Sequence, residues 1–239
     1  MQSLPRVNRG GAGRRAQGTA RLMRGLDAEK DQSYFLHRIE QNALRHTLFP
    51  IGDKKKSEVR TIARSLGLST AGKDESMGIC FIGKQNMNAF LRTRIPSKPG
   101  SVVDPNGRII GAHDGLDSVT IGQRHGFHVV QPGGPWYAAG KDPSSNCLVA
   151  VAGREHPMLY TRTATMSDLH WITKRPSALT FGLQAVVRYR QDAVPCRLTH
   201  HRNGTVTIRF RKPVFALAAG QSAVIYRGQE CLGGGVIVE

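Results

Sequence analysis

The chain has no Cys-x-x-Cys pair, no apolar run near the ~20 residues that span a bilayer, and half as many acidic side chains as basic ones. Its cysteines, Cys80, Cys147, Cys196 and Cys231, lie far apart. That spacing excludes a zinc finger and a secreted disulfide framework, and predicts free thiols in a reducing compartment. His125 has no second histidine or carboxylate at ligand spacing, so no metal is expected. A Gly-rich phosphate loop is missing too, because Gly10-Gly11-Ala12-Gly13 runs into arginines and not into a strand-loop-helix unit. Internal repeats and low-complexity tracts are absent.

What is present is positive charge. With 34 Lys and Arg against 17 Asp and Glu, the net charge is +17. Such a surface attracts polyanions, and RNA is the economical partner. A membrane is not expected, since the basic residues are spread along the chain without a long basic amphipathic helix. No acidic residue precedes Asp27, while Arg6, Arg9, Arg14, Arg15, Arg21 and Arg24 all do. That composition fits a mitochondrial transit segment or a disordered basic arm. Gly and Pro interrupt any helix there, and a disordered tail over residues 1–18 is expected.

Organisation follows from periodicity and punctuation. A helix is predicted from Ile39 to Thr47, stopping before Phe49-Pro50. A second begins at a Ser57 cap, repeats Val59, Ile62, Ala63 and Leu66 at helical spacing, and ends on Gly67 in a left-handed C-cap. Lys54-Lys55-Lys56 precedes it, where the helix dipole disfavours cations; the lysines serve an anionic partner or a solvated loop. Met87, Phe90 and Leu91 mark a short helix before Ile95-Pro96. From Ser101 onward the pattern turns to strands. Ser101–Val103 and Arg108–Ile110 form a hairpin around Asp104-Pro105-Asn106-Gly107. Further strands are predicted at Asp117–Ile121, Cys147–Ala152, Arg162–Trp171, Leu179–Tyr189, Val194–His201, Thr205–Phe210 and Ser222–Tyr226. Asn203-Gly204 signals a type I′ turn.

Cys80 sits in a short apolar run, Ile79 to Ile82, bracketed by Gly78 and Gly83. Lys73 and Lys84 favour its thiolate, and Asp74 and Glu75 oppose it. The residues alone leave it open between a buried structural cysteine and a reactive one.

The stretch Lys73 to Gly83 resembles the second catalytic-cysteine motif of the tRNA-specific 2-thiouridylases. Further matches keep the family's order: Leu26-Asp27 with Lys30 to Leu36, Leu48 to Gly52, Thr120 to Arg124, Pro135-Trp136-Tyr137, Arg188-Tyr189-Arg190, Pro195-Cys196, Gly220 to Val224 and Cys231 to Gly235. Together they cover the chain from about Thr19 onward. The resemblance implies an α+β fold with four regions. These are the tail over 1–18, the C-terminal part of a catalytic domain over 19–95, a small central β domain over 96–155, and a C-terminal antiparallel β-barrel over 156–239.

It also implies an activity, in which sulfur replaces the C2 oxygen of the wobble uridine in tRNA. ATP activates that oxygen, a persulfide on the second cysteine delivers sulfur, and the first cysteine resolves the intermediate through a disulfide. By position in the motif, Cys80 is the persulfide carrier. Lys30, Asp31, Gln32, Arg188, Tyr189 and Gln221 match positions that contact tRNA, and Cys196 and Cys231 are expected to be structural. A cysteine desulfurase or relay protein supplies the sulfur. Neither the family's Ser-Gly-Gly-x-Asp-Ser phosphate loop nor its first cysteine occurs in these residues, so the chain alone is expected to be inactive. Two other readings stay open, a tRNA-binding module without the chemistry and a fragment of a longer reading frame. The cytoplasm is the expected location, with the mitochondrion as the alternative.

Overall fold

The computed structural model describes residues 6–8, 19–73, 90, 93–95, 97–177 and 180–238, the side chains of 6–8 excepted. Among them, two short α-helices and thirteen strands make an α+β chain. No helix there is long and apolar enough to cross a membrane. The chain divides into two units, one of Met1–Glu75, Arg162–Lys212 and Ala219–Glu239, the other of Ser76–Thr161 and Pro213–Ala218.

The first unit is organised on a closed six-stranded antiparallel barrel. Its strands are β8 (Tyr160–Trp171), β9 (Leu183–Val186), β10 (Val194–His200), β11 (Val206–Phe215), β12 (Ser222–Arg227) and β13 (Glu230–Ile237). Hydrogen bonding runs β8-β11-β10-β9-β12-β13 and returns to β8, so no strand of the ring is left with an open edge. The predicted alternation in β11 holds: Val206, Ile208 and Phe210 are buried, while Arg209 and Arg211 are exposed.

β13 closes the ring with three consecutive glycines. A Cβ at Gly233 would lie 2.2 Å from the His170 carbonyl oxygen, one at Gly234 2.2 Å from that of Ala223, and one at Gly235 2.5 Å from that of Ser167. Only glycine lets β12 and β8 approach β13 this closely.

β12 reads Ser-Ala-Val-Ile-Tyr-Arg and is buried from Ala223 to Tyr226 because both its faces are covered. Ala223 and Ile225 lie on one face. Val224 and Tyr226 lie on the other, packed with Leu22, Leu44, Ile172 and Cys231. Leu22 belongs to β2 (Arg21–Met23), which pairs with the start of β13, Cys231 opposite Leu22, and β1 (Arg6–Asn8) pairs with β2 in turn. Burying Leu22 and Leu44 completely contributes about 1.5–3 kcal/mol each. This apolar cluster, with Tyr34, Leu36, Ile39 and Phe49 packed on it, fixes the segment from Ala20 to Phe49 against the barrel.

Leu44 lies on α1 (Gln41–Arg45), shorter than the predicted Ile39–Thr47. The Gln41 side chain explains where it starts. Its amide accepts from Ala20 N–H (2.9 Å) and donates to the carbonyls of Ala20 and Ile172 (2.7 Å each), tying α1 to β2 and to the end of β8.

α2 spans Lys56–Ser65 and starts one residue before the expected Ser57 cap. Asp27 accepts from Lys56 N–H (2.9 Å) and Glu58, in the first turn of α2, from Lys55 N–H, so two carboxylates replace a serine cap. Its C-terminus is as predicted. Gly67 has φ +64°, its N–H donates to Arg64, and Leu68 N–H donates to Ala63. Val59 and Ala63 are buried, but Ile62 and Leu66 of the same stripe are exposed. The helix expected around Met87, Phe90 and Leu91 falls largely outside the described residues.

The second unit holds a five-stranded curled sheet ordered β5-β4-β3-β7-β6. Its strands are β3 (Gly100–Val103), β4 (Ile109–His113), β5 (Phe127–Val129), β6 (Trp136–Asp142) and β7 (Cys147–Ala152). β3 and β7 are parallel and the other neighbours antiparallel. Asp104 caps the β3–β4 turn by accepting from Asn106 and Arg108 N–H. The predicted strand at Asp117–Ile121 is instead a 3-10 turn, Leu116–Ser118, followed by a loop. The Gln123 side chain accepts from Thr120 N–H, and Gly122 N–H and the Gln123 carbonyl bond to Ala138 of β6, which fixes the segment as a loop against the sheet.

Two barrel expectations change. Of the predicted strand Leu179–Tyr189, whose first residue lies outside the described residues, Leu183–Val186 forms a strand. The Asn203-Gly204 turn is not type I′, because Gly204 alone has positive φ, +81°. Gly204 N–H donates to His201, His201 N–H to Thr205, and Asn203 accepts from Thr205. This is a three-residue loop with a left-handed glycine at its end.

Candidate nucleic-acid interface

Asp31 builds the loop that carries Lys30 and Gln32. Its carboxylate accepts from Gly25 N–H (3.1 Å), Ser33 N–H (3.0 Å) and the Ser33 hydroxyl (2.9 Å). Ser33 is fully buried, with its hydroxyl 3.1 Å from that of Tyr226. Burial holds the Tyr226 phenol well above its ordinary range, and the Arg24 guanidinium stacks 3.8 Å over its ring. Tyr34 closes the clamp by donating to the Ser222 carbonyl (2.8 Å). Its pKa is raised by burial, with nearby Arg188 acting the other way.

Gln32 points toward β9. Its Nε2 donates to the Tyr189 hydroxyl at 2.7 Å, joining residues 157 apart in sequence. Tyr189 lies on the turn after β9, where Gln191 N–H donates to Arg188 and Arg190 has φ +67°. A left-handed arginine costs about 1–2 kcal/mol, and here it places the guanidinium 5.4 Å from the Tyr189 ring centre. Phe35 completes an aromatic step, 4.6 Å from Tyr189 and 5.3 Å from Tyr34 between ring centres. Phe35 is 56% exposed.

The structure thus brings Gln32, Arg188 and Tyr189 into one neighbourhood. Gln221 adjoins it through Ser222, and its Oε1 is buried without a hydrogen-bond partner among the described residues. Asp31 lies beneath, both oxygens engaged inside its own loop. Lys30 instead lines an open cleft of about 520 Å³ with Lys55, Lys56, Arg60 and Arg64, facing Asp27 and Glu29. Asp27 is already held by Glu29 and Lys56 N–H, so the cleft is dominated by cations.

Three family models match in succession: a tRNA methyl transferase HUP domain over residues 6–84, a tRNA methyl transferase PRC-barrel domain over 88–152, and an aminomethyltransferase beta-barrel domain over 161–237. The tRNA-specific 2-thiouridylase MnmA of Chromohalobacter salexigens is 47% identical over 224 residues, covering 92% of this chain and 58% of the relative. Those of Idiomarina loihiensis and Xanthomonas oryzae pv. oryzae are 43% and 45% identical, covering 92% of this chain and 60% and 59% of the relatives. The chain belongs to the tRNA-specific 2-thiouridylase family. It spans somewhat under two thirds of the length of these relatives.

In this thiouridylase-family chain, the motif cysteine Cys80 lies outside the described residues, together with its flanking glycines. The other cysteines are free thiols. Burial pushes the Cys196 and Cys231 thiols up to about 12. Cys147, whose apolar strand pattern favours burial, is only half-buried, with Sγ 3.6 Å from the Ser145 carbonyl at the start of β7. Sequence reasoning missed Phe35, Arg60 and Arg64. Arg60 and Arg64 are four apart on α2, a spacing that signals a shared helix face; Phe35 lies in the matched stretch Lys30 to Leu36, where its apolar side chain gives no sign of facing solvent.

Proposed function

We propose that the chain binds tRNA and serves the 2-thiolation of its wobble uridine, with Cys80 carrying the sulfur. The observation that carries the RNA half is the Gln32–Tyr189 hydrogen bond. It joins two sequence-distant segments that the resemblance assigns to tRNA, in a neighbourhood rimmed by Arg188 and Arg190 and beside exposed aromatic surface. Arginines reach phosphate, and tyrosine and phenylalanine faces accept unstacked bases. Lys30 adds the cationic cleft to the same RNA surface.

On the chemical side, a thiolate at Cys80 takes sulfane sulfur from a desulfurase or relay protein, and the resulting persulfide is a strong nucleophile toward an activated uridine C2. ATP, which in the family turns the C2 oxygen into a leaving group, has no phosphate loop of the Ser-Gly-Gly-x-Asp-Ser type among these 239 residues. The chain alone is therefore expected to make no 2-thiouridine.

Incubation with a desulfurase and free cysteine, then mass spectrometry of the digest, tests the sulfur role. Sulfane sulfur is expected on the peptide from Met77 to Lys84 and is lost in Cys80→Ser. Cys196 and Cys231 stay protonated at neutral pH and compete poorly, so Cys147 is the internal control. Label centred on Cys147, or spread over all four cysteines, overturns the assignment to Cys80. A filter-binding assay with a tRNA transcript tests the other half, and Arg188→Ala is expected to weaken binding.

A further inference from the structure

Two arginines stand side by side on neighbouring barrel strands, where opposite charges would be favourable. The β10–β11 register sets Arg197 opposite Arg209, and both are exposed. Arg211 follows two residues along β11, on the same outer face. On the adjoining β8, Arg162 donates from Nη1 to the Arg211 carbonyl at 2.9 Å, which brings a fourth guanidinium to the group. Among the described residues, Arg197, Arg209 and Arg211 form no ion pair. Directly opposed like charges destabilise a strand pair, and the barrel core gains nothing from them, because the inward residues of β11 are Val206, Ile208 and Phe210.

We propose that this arginine face binds the sugar-phosphate backbone of RNA, as a binding surface in addition to the Gln32–Tyr189 neighbourhood. The proposal rests on the tRNA reading above. Three features favour a nucleic-acid backbone. Guanidinium groups engage phosphate oxygens through two parallel N–H donors. Arg209 and Arg211 stand about 6–7 Å apart along the strand, and the Arg197 and Arg209 Cβ atoms about 5 Å apart across it, an array suited to a run of phosphates. The next pair on the same face is Thr199 and Thr207. It offers hydroxyls and no large apolar side chain, so neither membrane insertion nor base stacking is served there.

The test uses the full chain and an unmodified tRNA transcript at 0.1 M salt, with Arg209→Glu and Arg197→Glu as variants. Each is expected to weaken binding at least five- to eightfold, the effect of removing one phosphate interaction at that salt, and to lower the log-log salt slope by about one. Each is also expected to unfold at or above the wild-type temperature, since an Arg–Glu pair replaces a repulsive one. The Arg197→Glu/Arg209→Glu double variant loses that thermal gain and binds most weakly. A merely structural role for these arginines would give the reverse, lower stability with unchanged affinity. Unchanged RNA affinity in both single variants, while Arg188→Ala still weakens binding, overturns the arginine face and leaves the tRNA reading standing. Binding of poly-glutamate that competes equally with the transcript overturns it in favour of an acidic protein. A wild-type chain that binds no transcript overturns both readings together.

Discussion

Phe35 is the side chain whose placement is hardest to explain by folding alone. Two tyrosines hold its ring by edge and tilted contacts, yet the rest of it faces solvent beside Gln32 and the Arg188–Arg190 turn. A ring fixed in this way loses little entropy when a second flat group stacks on it. Stacking one base on an aromatic side chain contributes about 1–3 kcal/mol. Phe35→Ala is therefore expected to weaken binding of an RNA stem-loop with an unpaired loop by roughly 5- to 150-fold. Binding of a blunt RNA duplex should stay the same, and stability should shift by no more than about 0.5 kcal/mol, as for other exposed positions. Fluorescence of a 2-aminopurine in the unpaired loop reads the stacking directly. An equal loss on loop and duplex would show that Phe35 acts through the fold.

At the scale of elements, β13 is where sequence and architecture meet most tightly. Gly234→Ala pushes a Cβ to 2.2 Å from the Ala223 carbonyl oxygen in β12, and neither backbone has room to give. A loss of about 2–4 kcal/mol in urea unfolding is expected, at the upper end for overpacked sites. Gly140→Ala in β6 is the control, since its Cβ would meet Val149 only at 3.5–3.6 Å. Similar costs at the two positions would falsify the close-approach explanation. The same strand marks the limit of what was legible in the sequence. Local patterns carried through to the structure: the alternation of β11, the Asp104-to-Gly107 hairpin and the Gly67 cap. Each is written within about ten residues. Cys231 to Gly235, by contrast, matched a family motif and gave no periodic sign of a strand, because its glycines answer to Ala223, Ser167 and His170. The loop at Thr120–Gln123 is held by Ala138, and the early start of α2 depends on Asp27. In the candidate site, the family motif named Asp31 and Gln32 alike, and only the fold shows what each side chain touches. Nothing local separates Asp31, which braces its loop, from Gln32, which crosses to Tyr189.

For the whole molecule, the net charge of +17 is concentrated in places on the surface. Several carboxylates are already engaged by hydrogen bonds or ion pairs within the chain. Asp27, Asp31, Glu58, Asp104 and Asp142 accept from backbone N–H groups, Asp168 pairs with Arg38, and Glu230 is buried between Arg21 and Arg227. Among the described residues, surface cations include groups in the Lys30 cleft, on the Arg188–Arg190 turn and on the β10–β11 face. Mutual repulsion among them opposes the compact state, and an RNA partner relieves it. Salt is therefore expected to act in opposite directions on folding and on binding. Raising it from 50 to 200 mM screens the self-repulsion, so the thermal midpoint of the free chain should rise. Over the same range, competition from counterions at each neutralised phosphate weakens tRNA binding by about threefold. Replacing Lys55, Lys56, Arg60 and Arg64 together by Gln should lower the log-log slope by as much as about three and raise the thermal midpoint of the free chain. A slope unchanged by that replacement means the cleft faces solvent in the complex. A slope near zero in the wild-type chain means that RNA is held without its phosphates, and the positive charge then has some other partner.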